Sequence, residues 1–437
     1  MSLRKRLDSL RRQSGAAADR ESEPSSPLGD GTRPGPSPPA DQQPGNDRRT
    51  LGDRTPLADR LRRLQGTAPR AGGAPRGRVV DEEEVAELVG GEILAPGVIL
   101  RERRVSLHGT HGGFALRRAA EPVRGLPEGD VDPRRVVYLD TETTGLSGGA
   151  GTVVFLLGLG RLDGDELVLR QYLLTAFEGE ADLLAAAGEW AADAEWTVTY
   201  NGRAFDLPLM AARCRLAGVE HRLGPLKHLD LLAPARRAFG RRWNDCRLAT
   251  AERHLLRLER RDDLPGSEAP EAWFAFLHRG DPGRLPLVAD HNHRDVVSLA
   301  ALLPALDEAH ARPDSCDADI LAVARAHARA GARERAIALL RRHRARLEPD
   351  GLLELAALFR RQGAWHEAAG IWEELAAQGH VEAVERLAKY HEHVRRDFAS
   401  ALTLAERLPA GPDHDRRRAR LREKLRRAAS VRAPPDY

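Results

Sequence analysis

The stretch VVYLDTETTGL, residues 136–146, is the first indication of the fold of this 437-residue chain. Four apolar residues lead directly into Asp140 and Glu142, which are separated by one threonine. In a β-strand, residues i and i+2 face the same side, so the two carboxylates are expected to project together while Thr141 faces away. Carboxylates held this close repel each other unless a cation lies between them, and hard oxygen ligands suit Mg²⁺ or Mn²⁺. Taken alone, the pattern is better explained by two solvated acids at a strand end.

Two further segments place acids at the ends of predicted elements. In TYNGRAFDLPLM a strand ends at Asn201 and a helix begins near Asp206. In HNHRDVVSLAALL, Asp295 is predicted in the first turns of a late helix that begins near Asp290. Acids from such distant segments can converge on a pair of metal ions, which activates a water and stabilises the leaving oxygen of a phosphodiester.

Residues 131–306 are predicted to form an α/β domain with a mixed β-sheet flanked by helices. Three strand patterns in meander order, RVVYLD, GTVVFLLGLGRL and ELVLRQYLL, are followed by EWTVTYN and the short LKHLDLL. Amphipathic patterns between and after them, such as GEADLLAAAGEWAAD and FDLPLMAARCRLAG, indicate helices. An antiparallel trio followed by strands that alternate with helices is typical of a mixed sheet covered by helices.

Together these segments resemble the three motifs of the DEDD superfamily of 3′–5′ exonucleases, whose domain has a ribonuclease H-like fold. YLDTETTG is similar to the first motif, NGRAFD to the second and HNHRD to the third. The gaps of 66 residues from Asp140 to Asp206 and 89 from Asp206 to Asp295 are those expected of that family. More narrowly, the chain resembles a bacterial subgroup of predicted exonucleases, in which a tail like tetratricopeptide (TPR) repeats also occurs. The segments that carry this narrower resemblance are HLDLL, CRLATAE and RRDDLPG, at residues 228–232, 246–252 and 260–266.

The resemblance, which covers about residues 85–306, implies a metal-dependent 3′–5′ exonuclease that hydrolyses phosphodiester bonds at a DNA or RNA end. It implies two Mg²⁺ or Mn²⁺ ions, and it implies four metal ligands: Asp140, Glu142, Asp206 and Asp295. It also implies that five residues lie beside the terminal nucleotide or line the substrate groove: Thr143, Gly145, Leu146, Asn201 and Phe205. Phe205 is equally well interpreted as a core residue that anchors its helix.

The general base departs from the family pattern. The resemblance implies a tyrosine four residues before the last aspartate or a histidine five residues before it. Here His291 stands four residues before Asp295, and Asp290 stands five before it. Residues i and i+4 share a helix face, so His291 is predicted to accept a proton from the attacking water. The alternative is a residue at the start of the helix with no proton role.

The region before the domain has two parts. Residues 1–80 are predicted to be a disordered, basic tail rich in Pro and Gly. Within it, Leu3–Leu10 and Leu57–Leu64 share the pattern L-x-x-R-L-x-x-L. These are either short docking helices for a partner or nucleic acid, or arginine-rich pieces of a solvated tail. Residues 81–130 are predicted to be a small β-rich lead-in segment.

The region after the domain is predicted to be helical. Ala336, Ala368 and Ala401 occupy similar positions at spacings of 32 and 33 residues, which indicates TPR-like helical repeats over residues 318–410. A plain helical bundle is the alternative. Such repeats would supply a site for a protein partner. Residues 411–437 are predicted to be a basic C-terminal tail.

Composition narrows the remaining choices. The 68 basic and 65 acidic residues nearly balance, so net charge alone argues for no partner. Three widely spaced cysteines suggest neither a disulfide framework nor a zinc cluster. With no long apolar run and no secretory signal, the sequence predicts a cytoplasmic protein without a membrane contact. The second hypothesis is a weak or inactive nuclease fold acting as a nucleic-acid-binding scaffold through its repeats. The four acids argue against it, because a protein that only binds has no use for self-repelling carboxylates.

Overall fold

The structure is a computed structural model that describes residues 81–145, 151–261 and 263–430. The basic N-terminal tail with its two leucine segments lies outside the described residues, and so does Leu146. In the described ranges, no helix is both long and apolar enough to cross a membrane.

A mixed sheet flanked by helices lies at the centre of the described region, as the sequence predicts, and it has seven strands. Its strands, with the separate hairpin β3–β4, are in chain order β1 (Glu92–Ala95), β2 (Val98–Ser106), β3 (Thr110–His111), β4 (Phe114–Ala115), β5 (Val136–Thr143), β6 (Val154–Asp163), β7 (Glu166–Leu174), β8 (Trp196–Thr199) and β9 (Lys227–Asp230). The order across the sheet is β1-β2-β7-β6-β5-β8-β9. All neighbours are antiparallel except β5–β8 and β8–β9, which are parallel. The two lead-in strands β1 and β2 therefore extend the same sheet.

Helices cover both faces of the sheet. They are α1 (Glu82–Val89), α2 (Glu180–Trp190), α3 (Asp206–Ala217), α4 (Leu232–Phe239), α5 (Leu248–Ala251), α6 (Ala269–Arg279) and α7 (Leu285–Ala311). The apolar run of β5 supplies both cores, because Val136 and Tyr138 belong to one buried cluster whereas Val137 and Leu139 belong to the other. An apolar run without alternation is what a central strand covered on both faces requires.

Helix α7 packs unusually close to β6. A Cβ atom at Gly158 would lie 2.1 Å from Oδ1 of Asn292, and one at Gly160 would lie 2.6 Å from Cγ1 of Val296. The two glycines therefore let the helix approach the strand that neighbours β5. This close approach brings the third predicted motif to the end of the first.

The start of α7 differs from the sequence-based prediction. The helix begins at Leu285, five residues before Asp290, with a proline in its first turn. Proline is well tolerated there, because its missing N–H would have no helical partner in any case. Asp295 consequently lies almost three turns inside the helix, at about 3.6 residues per turn, rather than in its first turns.

The C-terminal region consists of helix pairs and a final basic helix. The helices are α8 (Ile320–Arg329), α9 (Arg333–Arg342), α10 (Pro349–Arg361), α11 (Trp365–Ala377), α12 (Val381–Tyr390), α13 (Phe398–Glu406) and α14 (Pro412–Ser430). A five-residue π-helical segment, His391–Arg395, precedes α13.

The period read from the alanines is present in the helix pairs. Ala336, Ala368 and Ala401 are each fully buried in the second helix of a pair. Five residues before each alanine the backbone is left-handed, at Gly331, Gly363 and Arg396, with φ of 89°, 80° and 55°. The likeness to TPR repeats stays a prediction. One continuous apolar core joins these pairs to the buried side of α7.

Candidate active site

Three elements carry the four predicted metal ligands to one place. Asp140 and Glu142 lie at the end of β5, Asp206 is the first residue of α3, and Asp295 lies on α7. Burial and then the charges of Asp295, Glu142 and Asp206 raise the pKa of Asp140, so the other three carboxylates lie within electrostatic reach of it.

Burial and the charges of neighbouring acids raise the pKa of each carboxyl group in this cluster. Burial and then the charge of Asp295 raise the pKa of Glu142 to about 8. Burial raises the pKa of Asp206 to about 6, although the Thr141 hydroxyl lowers it. Burial also raises the pKa of Asp140 and of Asp295, the latter against the opposing charge of Arg260. Each acid would therefore gain from a nearby cation.

Thr141 has a contact that strand alternation did not predict. Its hydroxyl donates a hydrogen bond to Oδ1 of Asp206. Thr141, which lies between the two strand acids, therefore orients Asp206 of the second motif.

A chain of buried amides holds Asp140. The Nδ2 group of Asn292 donates to Oδ2 of Asp140 at 2.8 Å and lies 3.2 Å from its carbonyl oxygen. Nε2 of Gln171 donates to Oδ1 of Asn292 at 2.8 Å, and Arg101 donates to Oε1 of Gln171 at 2.9 Å. This chain is the reason that position 158 requires glycine, because a Cβ atom there would strike Asn292.

His291 stands between two of the acids. Its Nε2 atom is 3.8 Å from Oε1 of Glu142 and 3.7 Å from Oδ2 of Asp295. Its Nδ1 atom lies 3.0 Å from Oδ2 of Asp263. An ionised carboxylate can only accept a hydrogen bond, so Asp263 favours the tautomer in which Nδ1 carries the proton. In that tautomer Nε2 carries the lone pair. That lone pair faces the acid cluster.

The loop around residue 260 closes this side of the site. Arg260 donates to Glu252 at 2.7 Å, to Asp263 at 3.0 Å and to Asp295 at 2.5 Å. Nη1 of Arg294 lies 2.6 Å from Asp263. Although burial alone would raise the pKa of Asp263, its hydrogen bond to His291 and the nearby positive charges lower it. Asp263 is therefore an ionised partner for the histidine.

The predicted substrate residues lie in more open surroundings. Phe205 is 51% exposed, so it is not the core anchor of its helix. The Thr143 hydroxyl donates to the carbonyl of Gly145, and a Cβ atom at Gly145 would have no described residue within 4 Å. Asn201 has a left-handed backbone with φ of 68°.

The loop at Asn201 is held by Asp230. Its carboxylate accepts hydrogen bonds from the backbone N–H groups of Asn201, Arg203 and Leu232, at 2.7, 3.1 and 3.0 Å. Nε2 of His228 lies 2.9 Å from the Thr199 hydroxyl. The segment HLDLL therefore supports the loop that follows β8.

The donor set suits a hard divalent cation. Four carboxylates, all buried or half-buried and all with raised pKa, provide oxygen ligands and an excess of negative charge. Within residues 81–145, 151–261 and 263–430, no three His, Cys, Asp or Glu side chains are already grouped closely enough to hold a metal ion. The side chains thus fit such an ion in chemistry, but they would have to adjust to enclose it.

Several contributing residues were missed from the sequence. Asn292 lies inside the third motif, and Arg260 and Asp263 lie inside RRDDLPG, so a local signal marked their segments but not their roles. Gln171 carried no signal, because it is one polar residue within an apolar strand pattern.

Comparison with known proteins gives the chain a family and a domain. Residues 137–306 match the RNase_H superfamily. Over 330 residues the chain is 32% identical to "Uncharacterized protein YprB" of Bacillus subtilis (strain 168), a match that covers 70% of this chain and 79% of YprB. Among solved structures, the family B DNA polymerase of Pyrobaculum calidifontis is similar at 15% identity and a TM-score of 0.33. That match covers 64% of this chain and 39% of the polymerase, and it is too slight to support a functional argument.

Proposed function

Because the chain belongs to the family of YprB and its residues 137–306 form an RNase_H-superfamily domain, we propose that it is a metal-dependent 3′–5′ exonuclease acting on DNA or RNA. One observation carries the proposal: acids from three distant segments converge into a self-repelling cluster. Such a cluster costs stability, and a pair of divalent cations would offset that cost. The 3′–5′ polarity rests on the resemblance of the three motifs to the DEDD exonucleases.

The metal ligands in this proposal are Asp140, Glu142, Asp206 and Asp295, with Mg²⁺ or Mn²⁺ as the ions. When bound, two such ions would lower the pKa of the attacking water and offset charge on the leaving oxygen. The protein contributes rigid support for the ligands. Asn292 orients Asp140, and the Thr141 hydroxyl orients Asp206.

His291 is proposed as the general base. Its Nε2 atom faces Glu142 and Asp295, and Asp263 holds the opposite nitrogen. This arrangement gives the imidazole a fixed orientation and a free lone pair, which are what proton transfer from the attacking water requires.

The substrate end is proposed to lie beside Thr143, Gly145 and Leu146, with Asn201 and Phe205 along the groove. Phe205 presents an exposed ring, which is the condition for stacking on a nucleotide base. No described residue crowds Gly145, so those residues leave room for a substrate to approach the backbone there.

The test uses the full chain and end-labelled substrates. Single- and double-stranded DNA and RNA, labelled at the 3′ or 5′ end, are incubated with Mg²⁺ or Mn²⁺ and with a chelator as control. Stepwise shortening from the 3′ end is expected, and it is expected to vanish in Asp140→Asn. Asp163→Asn is the matched control, because Asp163 is an exposed acid at the far end of β6.

Two results would contradict the proposal. Cleavage by Asp140→Asn at the parent's rate would show that the acid cluster does no chemistry. Absence of cleavage by the parent chain on every substrate would favour a nucleic-acid-binding scaffold instead, and the helix pairs would then be the region to study.

A further inference from the structure

Arg260 is a cation in direct contact with the acid cluster. Its Nη2 atom lies 2.5 Å from Oδ1 of Asp295, one of the four proposed metal ligands. The same guanidinium also contacts two acids that are not proposed ligands, Glu252 at 2.7 Å and Asp263 at 3.0 Å. Arg260 therefore pairs with three carboxylates, and one of them, Asp295, is a proposed metal ligand.

The Arg260 guanidinium has an anchor that does not depend on Asp295. Both carboxylate oxygens of Glu252 accept from Arg260 in a paired arrangement, and the Glu252 side chain is fully buried. The Ser298 hydroxyl also donates to Glu252 at 2.5 Å, and Nε2 of His111 lies 2.8 Å from the same hydroxyl. Because this anchor holds the guanidinium, the contact with Asp295 can be lost without releasing the arginine.

A divalent cation and a guanidinium on the same carboxylate repel each other. Like charges a few ångströms apart interact strongly at a site this poor in water. Arg260 and Asp295 are both largely buried, at 16% and 11% side-chain exposure, so solvent screens the repulsion only weakly. A cation that binds Asp295 must therefore compete with Arg260.

We propose that Arg260 is a resident counterion of the acid cluster, which holds Asp295 while no divalent cation is bound and yields it when one binds. Arg260 is then a positioning residue that sets the metal affinity of the site. This inference rests on the proposed function for the identity of the competing ion.

The experiment measures metal binding without nucleic acid. Mn²⁺ and Mg²⁺ are titrated by calorimetry into the full parent chain, Arg260→Gln and Arg294→Gln. The dissociation constant of Arg260→Gln is expected to be on the order of tenfold lower than that of the parent, within the usual range of coupling between two sites. In chelator, the same variant is expected to melt at a lower temperature than the parent, and saturating Mn²⁺ should narrow the difference.

Arg294→Gln is the matched control, because it removes a positive charge that contacts Asp263 but none of the proposed ligands. Its metal affinity is expected to stay close to that of the parent. A merely structural role for Arg260 would lower the melting temperature without tightening metal binding.

The possible outcomes separate this inference from the proposed function. Equal or weaker metal binding by Arg260→Gln, with binding intact in the parent, overturns the role of Arg260 alone. Absence of binding to every chain overturns both. If Arg260→Gln does not fold, Arg260→Lys keeps the charge but lacks the planar fork that spans Glu252 and Asp295. A dissociation constant a few times lower is then expected, and an unchanged one overturns the inference.

Discussion

Two buried clusters of charged side chains in this molecule have opposite charge balance. At the candidate active site, only Asp295 of the four carboxylates contacts an arginine among the described residues, and the pKa values of all four are raised. In the C-terminal region, the single buried carboxylate of Glu392 is surrounded by cations of α14: Arg420 and Lys424, each at 2.9 Å, and Arg417 at 3.9 Å. Burial alone would raise the pKa of Glu392, but Arg420 and Lys424 lower it to about 2.

The difference teaches what each cluster is for. The charge of Glu392 is neutralised by cations of α14, and these ion pairs hold the final helix against the π-helical segment before α13. In the cluster at the candidate active site, the negative charge exceeds what the neighbouring cations of the protein neutralise. A buried acid whose ionisation the protein opposes is a marker of function, whereas one that the protein stabilises is a marker of structure.

The largest expected effect comes from breaking the active-site cluster itself. Asp140→Asn is expected to reduce metal-dependent nuclease activity by about 10³-fold or more, because the loss of a ligand removes several kcal/mol of transition-state stabilisation. In chelator at pH 8 the variant should unfold at the same temperature as the parent or a higher one, since it removes one repelling charge. Initial rates and thermal melts of the two chains check both statements. A variant much less stable than the parent would contradict the repulsion that underlies the comparison.

Removing the arginine of the active-site cluster is expected to have the next largest effect. Arg260→Gln should lower the free energy of unfolding in chelator by about 3 kcal/mol, because it leaves buried carboxylates without their partner. Urea unfolding with and without Mn²⁺ measures the change. A loss that Mn²⁺ leaves unaltered would show that the two clusters are alike, both being structural.

Neutralising the acid of the structural cluster is expected to cost less. Glu392→Gln should lower the free energy of unfolding by about 2 kcal/mol near pH 7, regardless of divalent cations. The folded-state pKa of Glu392 lies below its ordinary value of 4.5, so its contribution is complete above that pH. It is lost as the pH falls through about 2. The difference between parent and variant should therefore shrink between pH 4.5 and 2, and a difference that grew there would contradict the assignment.

The smallest expected effect belongs to a neutral partner of the active-site cluster. Thr141→Val keeps the side-chain shape but removes the hydrogen bond to Asp206, which is worth about 1 kcal/mol. Nuclease activity is expected to fall several-fold, with little change in thermal stability. Activity equal to that of the parent would show that Asp206 needs no support from the strand.

Local patterns predicted much of this molecule, whereas long-range side-chain contacts escaped prediction. The strand acids Asp140 and Glu142, and the start of α3 at Asp206, follow from periodicity and from motifs a few residues long. The contact from Arg260 to Asp295 spans 35 residues, and the contact from Gln171 to Asn292 spans 121. No local sequence pattern in these segments predicts a side-chain partner so distant in the chain. The early start of α7 was missed for another reason. Its first turn contains Pro286, and a proline in a sequence usually indicates the end of a helix.

The continuous core between α7 and the helix pairs determines where the chain can be divided. The end of α7 that follows Asp295 is buried from Val296 to Leu306, and part of its covering is apolar surface of the helix pairs. A chain shortened to end near residue 306 would keep every proposed ligand but expose a wide apolar strip to water. Such a fragment is expected to aggregate or to require detergent, so the unit to express and crystallise is the nuclease region together with its helix pairs.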